Sequence, residues 1–346
     1  MKTIDINTLA RENVLKLRPY SSARDEFQGT ASLFLDANEN PFESGYNRYP
    51  DPHQKALKQA LAEAKGVSHD QLFLGNGSDE AIDLIIRTFC VPGRDNVLIP
   101  QPTYGMYAVS AATNDVAIES VLLTKEFQLD TRVLLQSITT NTRVIFLCSP
   151  NNPSGNLLHT EDIERLLNHV DCLVVVDEAY IDFTDNPSWT RRLAEFNNLI
   201  VLQTLSKAWG LAGLRIGLCI AHPDIISLLN KIKPPYNINS FTQREALLRL
   251  TEKSTLTQSQ VATLRQERNL LSEALQKVKG VQKVFPSEAN FVLVQINDAT
   301  SVYHRLIAQG TVVRDRSGVV LCADCLRISI GTPDQNRHLI DQLNSL

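Results

Sequence analysis

The sequence predicts an α/β protein: a large domain with a mostly parallel sheet flanked by helices, joined to a smaller α+β domain. Three observations predict it. Short, continuous apolar runs recur through the middle of the chain with helix-patterned segments or loops between them, as expected for parallel strands buried on both faces. Further on, the pattern changes to one long helix, a few separated strand-like pieces and a final helix. The length of 346 residues suggests two domains at about 150 residues each.

The first fifty residues read as a short helix and then an extended segment ending in DANENPFESGYNRYPDP, where prolines and asparagines forbid a long helix. Helical faces follow at Ala56, Leu57, Ala60, Leu61 and Ala64, and at Ile82, Ile85, Ile86 and Phe89. Strands are predicted at 96–99, 143–148, 172–176, 199–202 and 215–220. After Thr160, a capping residue, Glu161 and Asp162 suit the positive end of a helix whose apolar face is Ile163, Leu166, Leu167 and Val170. A long helix over 258–279 carries Leu264, Leu271, Leu275 and Val278 on one stripe and ends at Gly280. Strands are predicted at 291–296, 311–314 and 326–330, with a helix over 301–309 and a last one from Pro333. The Pro234-Pro235 pair marks a junction. The large domain is then 46–238, and 1–45 with 239–346 make the smaller one.

Composition narrows the function. Lys and Arg total 34 against 38 Asp and Glu, a net charge of −4 with no basic run. That argues against a nucleic-acid or membrane-surface binder. No apolar stretch reaches the length of a membrane span, and no secretory signal pattern opens the chain. Six cysteines, several inside apolar runs, read as free buried thiols in a reducing cytoplasm. Cys322 and Cys325 form a lone C-x-x-C without the second ligand pair zinc needs, so no metal is expected. Neither a Walker lysine motif nor a G-x-S-x-G elbow is present.

Four motifs remain, in a fixed order. GNGSDE (75–80) precedes a helical pattern, and free amides at a helix start attract an anion. SPNNPSG (149–155) ends a buried strand and projects Asn151 and Asn152 from its carboxyl edge, where open α/β sheets bind ligands. Asp177 ends the run CLVVV and is followed by Tyr180; a carboxylate there needs a cationic or hydrogen-bonding partner. TLSKAWGLAGLRIG (204–217) sets Lys207 in an apolar, glycine-rich stretch with Thr204, Ser206 and Arg215 nearby. A partly desolvated lysine beside a second cation forms Schiff bases readily. Singly, the first reads at least as well as a capped turn, the second also reads as a proline turn, and the third alone reads better as a capping carboxylate. Together they offer an anion site, an acid for a ring nitrogen, donors for a phenolic oxygen and an amine for an aldehyde, the inventory that pyridoxal 5′-phosphate requires.

With LRPY, LDANENPF, NRYPDP, PTYGMY, VVVDEAY, VVRD and LRISIGT added, nearly the whole chain resembles the fold-type I pyridoxal-phosphate-dependent aminotransferases, and within them the histidinol-phosphate aminotransferases. The resemblance implies a seven-stranded sheet in the large domain and a homodimer with shared active sites. It implies that Lys207 bonds the cofactor and moves the α-proton, that Asp177 holds the ring nitrogen, and that Asn152 and Tyr180 bond the ring oxygen. Tyr104 would stack on the ring. Gly77, Ser78, Thr204, Ser206, Arg215 and, from the neighbouring subunit, Tyr49 would hold the phosphate. Arg327, helped by Arg314 and Tyr20, would grip the substrate anion. The implied reaction is ping-pong amino transfer between L-histidinol phosphate and 2-oxoglutarate. An aromatic amino-acid aminotransferase and a threonine-phosphate decarboxylase share these motifs; a nucleotide-binding α/β protein without the cofactor is the alternative from another class.

Overall fold

The computed structural model describes residues 4–21, 23–27, 29–252 and 254–346. Three short helices, α1 (Ile6–Leu9), α2 (Glu12–Lys16) and α3 (Ala23–Glu26), lie in the N-terminal arm. The large unit then runs through α4 (Lys55–Lys65), β1 (Leu72–Asn76), α5 (Ser78–Phe89), β2 (Asn96–Gln101), α6 (Met106–Thr113), β3 (Ala117–Leu122), α7 (Thr131–Gln136) and β4 (Thr142–Cys148). It closes with α8 (Thr160–His169), β5 (Leu173–Asp177), β6 (Leu199–Thr204), β7 (Ile216–Ala221) and α9 (Pro223–Ile232). These strands form a seven-stranded sheet of order β1-β7-β6-β5-β4-β2-β3. Only β7 runs against its neighbours β1 and β6. The mostly parallel sheet expected from sequence is therefore present.

Alternation along β5 shows how the core is divided. Leu173 and Val175 face a layer holding α5, α6 and α9, while Val174 and Val176 face a layer holding α4 and α8. Both faces are buried, which is why the strand reads as an unbroken apolar run. By the same alternation Asp177 falls on the α5–α6 side.

The smaller unit contains α10 (Ser240–Glu252), α11 (Ser254–Leu275), β8 (Val281–Val284), β9 (Phe291–Ile296), α12 (Ala299–Ala308), β10 (Arg314–Asp315), β11 (Cys325–Ser329) and α13 (Pro333–Ser345). Its antiparallel sheet has the order β10-β11-β9-β8. Leu326 and Ile328 pack with α11, α12 and α13, so the alternate residues Cys325 and Arg327 face the large unit.

Several expectations need correction. The arm does not sit wholly with the smaller unit: Ile4, Ile6, Leu9 and Val14 share the apolar layer of α5 and α9, and Lys231 donates to the carbonyls of Val14 and Leu15. Likewise α10 packs on α4. The buried face of α4 is Leu57, Lys58, Leu61 and Ala62, with Ala56 and Ala64 exposed. His159, not Thr160, is the cap position of α8. The long helix begins earlier, at Ser254, and ends at Leu275. The strand expected at 311–314 shrinks to Arg314–Asp315. Strands β1, β3 and β8 went unpredicted: β1 merges into the glycine motif, and β3 and β8 are exposed edge strands without an apolar run.

Candidate active site

The carboxyl ends of β4, β5 and β6, together with the start of α5, surround a cleft. One end is built for an anion. Gly77, at φ +77°, is the cap residue of α5, and the helix start presents Ser78. Its first-turn amides carry the positive end of the helix dipole. The Gly77 N–H donates to the Arg215 carbonyl at 2.8 Å. Arg215 itself is left-handed, at φ +56°, a conformation costing a non-glycine residue about 1–2 kcal/mol. This holds its guanidinium against Gly77, where a Cβ would meet Nη2 at 2.5 Å. Ser206 Oγ lies 3.5 Å from Arg215 Nη1. The Thr204 hydroxyl also lines the cleft, but its proton goes to the Ile216 carbonyl at 3.1 Å and its oxygen accepts from Ser206 N–H at 3.1 Å. It shapes the turn that presents Ser206.

At the other end Asp177 is buried. It accepts from Ala179 N–H at 3.0 Å and from the Tyr107 hydroxyl at 2.6 Å. Burial pushes its pKa up to about 6 against these two donors. A cationic ring nitrogen would relieve that cost. Lys207 stands in the loop between β6 and β7, its Nζ 5.6 Å from the Tyr180 ring centre. Partial burial lowers its pKa, and Arg327 and Arg215 add to this while Asp177 opposes it. More of the amine is therefore neutral and nucleophilic than in a free lysine. Tyr104 lines the cleft and donates to Asp79 Oδ1 at 3.0 Å.

Arg327 reaches the cleft from the smaller unit. Its Nη1 donates to Asn152 Oδ1 at 2.5 Å, leaving the Asn152 amide nitrogen as a donor. Arg314 is the cross-strand partner of Arg327, so the two guanidinium groups share a face. Neither has an ion-pair partner among the described residues. Tyr20 and Tyr49 are not brought into this cleft. Tyr20 is 69% exposed. Tyr49 stacks on Tyr236 with ring centres 4.5 Å apart, beside a separate depression that includes Arg48 and Phe241.

Sequence reasoning missed Tyr107, Asp79, Glu178 and Arg316. Glu178, buried and raised by that burial to about 7, ties the Asp177 turn to Ser188, Trp189 and Gln203. Arg316 extends the Arg314–Arg327 ladder through its N–H to the Cys325 carbonyl at 2.8 Å. Its two-residue spacing from Arg314 was the available signal.

The donor set fits pyridoxal 5′-phosphate: an anion cradle that excludes even a methyl group, a buried acid opposite, and a softened amine between them. The Asp177 shift has a stability consequence. Because the folded pKa lies above the ordinary 3.8, ionising Asp177 costs the apoprotein stability as pH rises toward and through 6. Asp177→Asn is therefore expected to stabilise the apoprotein relative to wild type above pH 6, on the order of 1–3 kcal/mol, and to change little below pH 4. Urea unfolding at both pH values measures this; an equal effect at the two would reject the cause.

Known proteins resemble the chain over nearly its whole length. Residues 33–343 match the family described as aminotransferase class I and II. Histidinol-phosphate aminotransferase of Parabacteroides distasonis is 52% identical over 342 residues, covering 99% of both chains. That of Christiangramia forsetii is 50% identical over 348 residues, covering 100% of this chain and 99% of its own. The crystal structure of histidinol-phosphate aminotransferase from Sinorhizobium meliloti, in complex with pyridoxal 5′-phosphate, superposes with a TM-score of 0.77 at 26% identity, covering 86% of this chain and 81% of the other. The chain thus belongs to the class I and II aminotransferases and, among them, to the histidinol-phosphate aminotransferase family.

Proposed function

We propose that this protein transfers the amino group of L-histidinol phosphate to 2-oxoglutarate, giving imidazole acetol phosphate and L-glutamate by a ping-pong sequence. The observation that carries the assignment is full-length identity of about half to relatives of that activity, on a cleft whose residues suit the chemistry. Bound pyridoxal 5′-phosphate supplies the aldehyde that captures the amine and the electron-poor ring that stabilises the α-carbanion.

The chain's residues do the rest. Gly77, Ser78, Ser206 and Arg215 hold the phosphate, and Thr204 fixes their turn. Asp177 keeps the ring nitrogen protonated through its buried carboxylate. Asn152 and Tyr180 donate to the ring oxygen, and Tyr104 covers the ring. Lys207 Nζ would hold the cofactor aldehyde in the resting enzyme and, when free, would act as the base that takes up the substrate α-proton and passes it on. Proton transfer by a group so placed contributes about 10²–10⁴-fold. Arg327 and Arg314 bind the distal anion; a guanidinium fork accepts a phosphate or a carboxylate, as two alternating substrates require.

We also propose a homodimer acting in the cytoplasm. Tyr49 is 52% exposed and lies outside its own cleft, which supports a role for it in a neighbouring subunit's site. Sedimentation at the mass of a single chain would count against this. Among the described residues no helix is long and apolar enough to cross a membrane.

Three reactions test the substrate assignment: amino transfer from histidinol phosphate to 2-oxoglutarate, phenylalanine transamination, and CO₂ release from threonine phosphate. The first is expected to lead in kcat/KM, and over phenylalanine by at least about 10²-fold, because phenylalanine brings no distal anion to the paired guanidinium groups. A lead by either competitor rejects the assignment.

A further inference from the structure

We propose that Tyr107 is a positioning residue for the cofactor: its phenol fixes the Asp177 carboxylate that faces the ring nitrogen, and its ring supports Tyr104 above the ring plane. This rests on reading the cleft as the pyridoxal-phosphate site.

The placement follows from strand alternation. Asp177 continues the face of Leu173 and Val175, and α6 covers that face. Tyr107, in the first turn of α6, is fully buried, and its ring stacks on Phe146 at 4.9 Å between centres and 10° between planes. A phenylalanine would fill that volume without a polar atom to satisfy. Instead the hydroxyl donates to Asp177 Oδ2 at 2.6 Å. The backbone N–H of Ala179 occupies Oδ1. One donor on each oxygen sets the plane of the carboxylate and leaves lone pairs on both for a third. Burial also keeps the phenol far above its ordinary pKa, so Tyr107 acts as a donor and not as an acid. On its other side it meets the Tyr104 ring edge-on, with centres 5.5 Å apart at 84°. One side chain thus touches both the residue proposed to hold the ring nitrogen and the residue proposed to cover the ring.

The test compares two ligands of the apoprotein: pyridoxal 5′-phosphate and its 1-deaza analogue, in which a C–H replaces the ring nitrogen. Binding is followed by fluorescence quenching and the visible absorbance band. In Tyr107→Phe the dissociation constant for pyridoxal 5′-phosphate is expected to rise about 10-fold, the size of a lost hydrogen bond to a charged group. The constant for the deaza analogue is expected to stay within about 2-fold, since it makes no nitrogen contact. In an Asp177→Asn background the Tyr107→Phe effect should largely vanish. Equal weakening of both ligands would make Tyr107 a packing residue only and overturn the proposal, as would no change in either. If Tyr107→Phe does not fold, Tyr107→Met, which also lacks the hydroxyl, carries the same comparison: selective weakening of pyridoxal 5′-phosphate is the supporting result and equal weakening of both ligands overturns the proposal. Failure of the wild-type protein to bind pyridoxal 5′-phosphate would instead reject the cofactor site itself.

Discussion

Replacing Lys207 with alanine is expected to lower turnover by at least about 10⁴-fold, above the top of the range for a positioned acid–base group, because the covalent attachment is lost with the proton carrier. The fold should survive. Lys207 lies in a loop, is only partly buried and forms no ion pair among the described residues, so the melting temperature of the apoprotein should shift by no more than a degree or two. Lys207→Arg separates charge from chemistry. It keeps a cation near Asp177 and Tyr180 but has no amine to condense with an aldehyde, so it should be as inactive as the alanine variant. Borohydride reduction of the wild-type holoenzyme followed by peptide mass spectrometry should place the cofactor mass on Lys207. Retention of more than about a hundredth of wild-type turnover by the alanine variant, or a tag on another lysine, would remove Lys207 from the reaction.

The reason Lys207 was legible in the sequence is also the reason other groups were not. Each of the four motifs follows or precedes a strand whose apolar run or glycine punctuation marks a sheet end, and the chemistry of such folds gathers there. Asp177 was found because LVVVD breaks an apolar run with a charge. Tyr107 breaks nothing: in MYAVSAA it sits at ordinary core spacing, and only the packing of α6 on β5 turns it into a partner of Asp177. The pairing of Arg314 with Arg327 depends on strand register between residues separated by a loop, and register leaves little trace in one sequence. The edge strand β3 was missed for a similar reason. Its Glu119 and Ser120 face solvent, so neither alternation nor a continuous run announces it. Buried parallel strands are written in composition, whereas edges and cross-strand neighbours are properties of the assembled sheet.

The second large effect concerns a residue with no functional group. Gly217→Ala is expected to destabilise the protein by about 3 kcal/mol, the upper end for overpacking, and to raise the dissociation constant for pyridoxal 5′-phosphate at least about 10-fold. Gly217 has no unusual backbone angle; what it supplies is space. It pairs across the sheet with Gly75 and with Thr204, and β7 there passes directly under the start of α5. A methyl group would overlap Ser78 N, Gly77 C and Ser78 Cα. All three are backbone atoms, so no side chain can swing away. The displaced atoms include the amide at the helix start, and Arg215 precedes Gly217 by two residues, so the damage falls on the anion end of the cleft. Pyridoxal without its phosphate provides the control. It uses Lys207 and Asp177 but not the cradle, so its affinity should change by less than about 3-fold. Gly213→Ala, where a Cβ meets nothing within 4 Å, should leave both ligands and the melting temperature unaltered. Were pyridoxal and pyridoxal 5′-phosphate to weaken alike in Gly217→Ala, the methyl group would be acting through general loss of structure, and the crossing of β7 beneath α5 would not be what shapes the phosphate site.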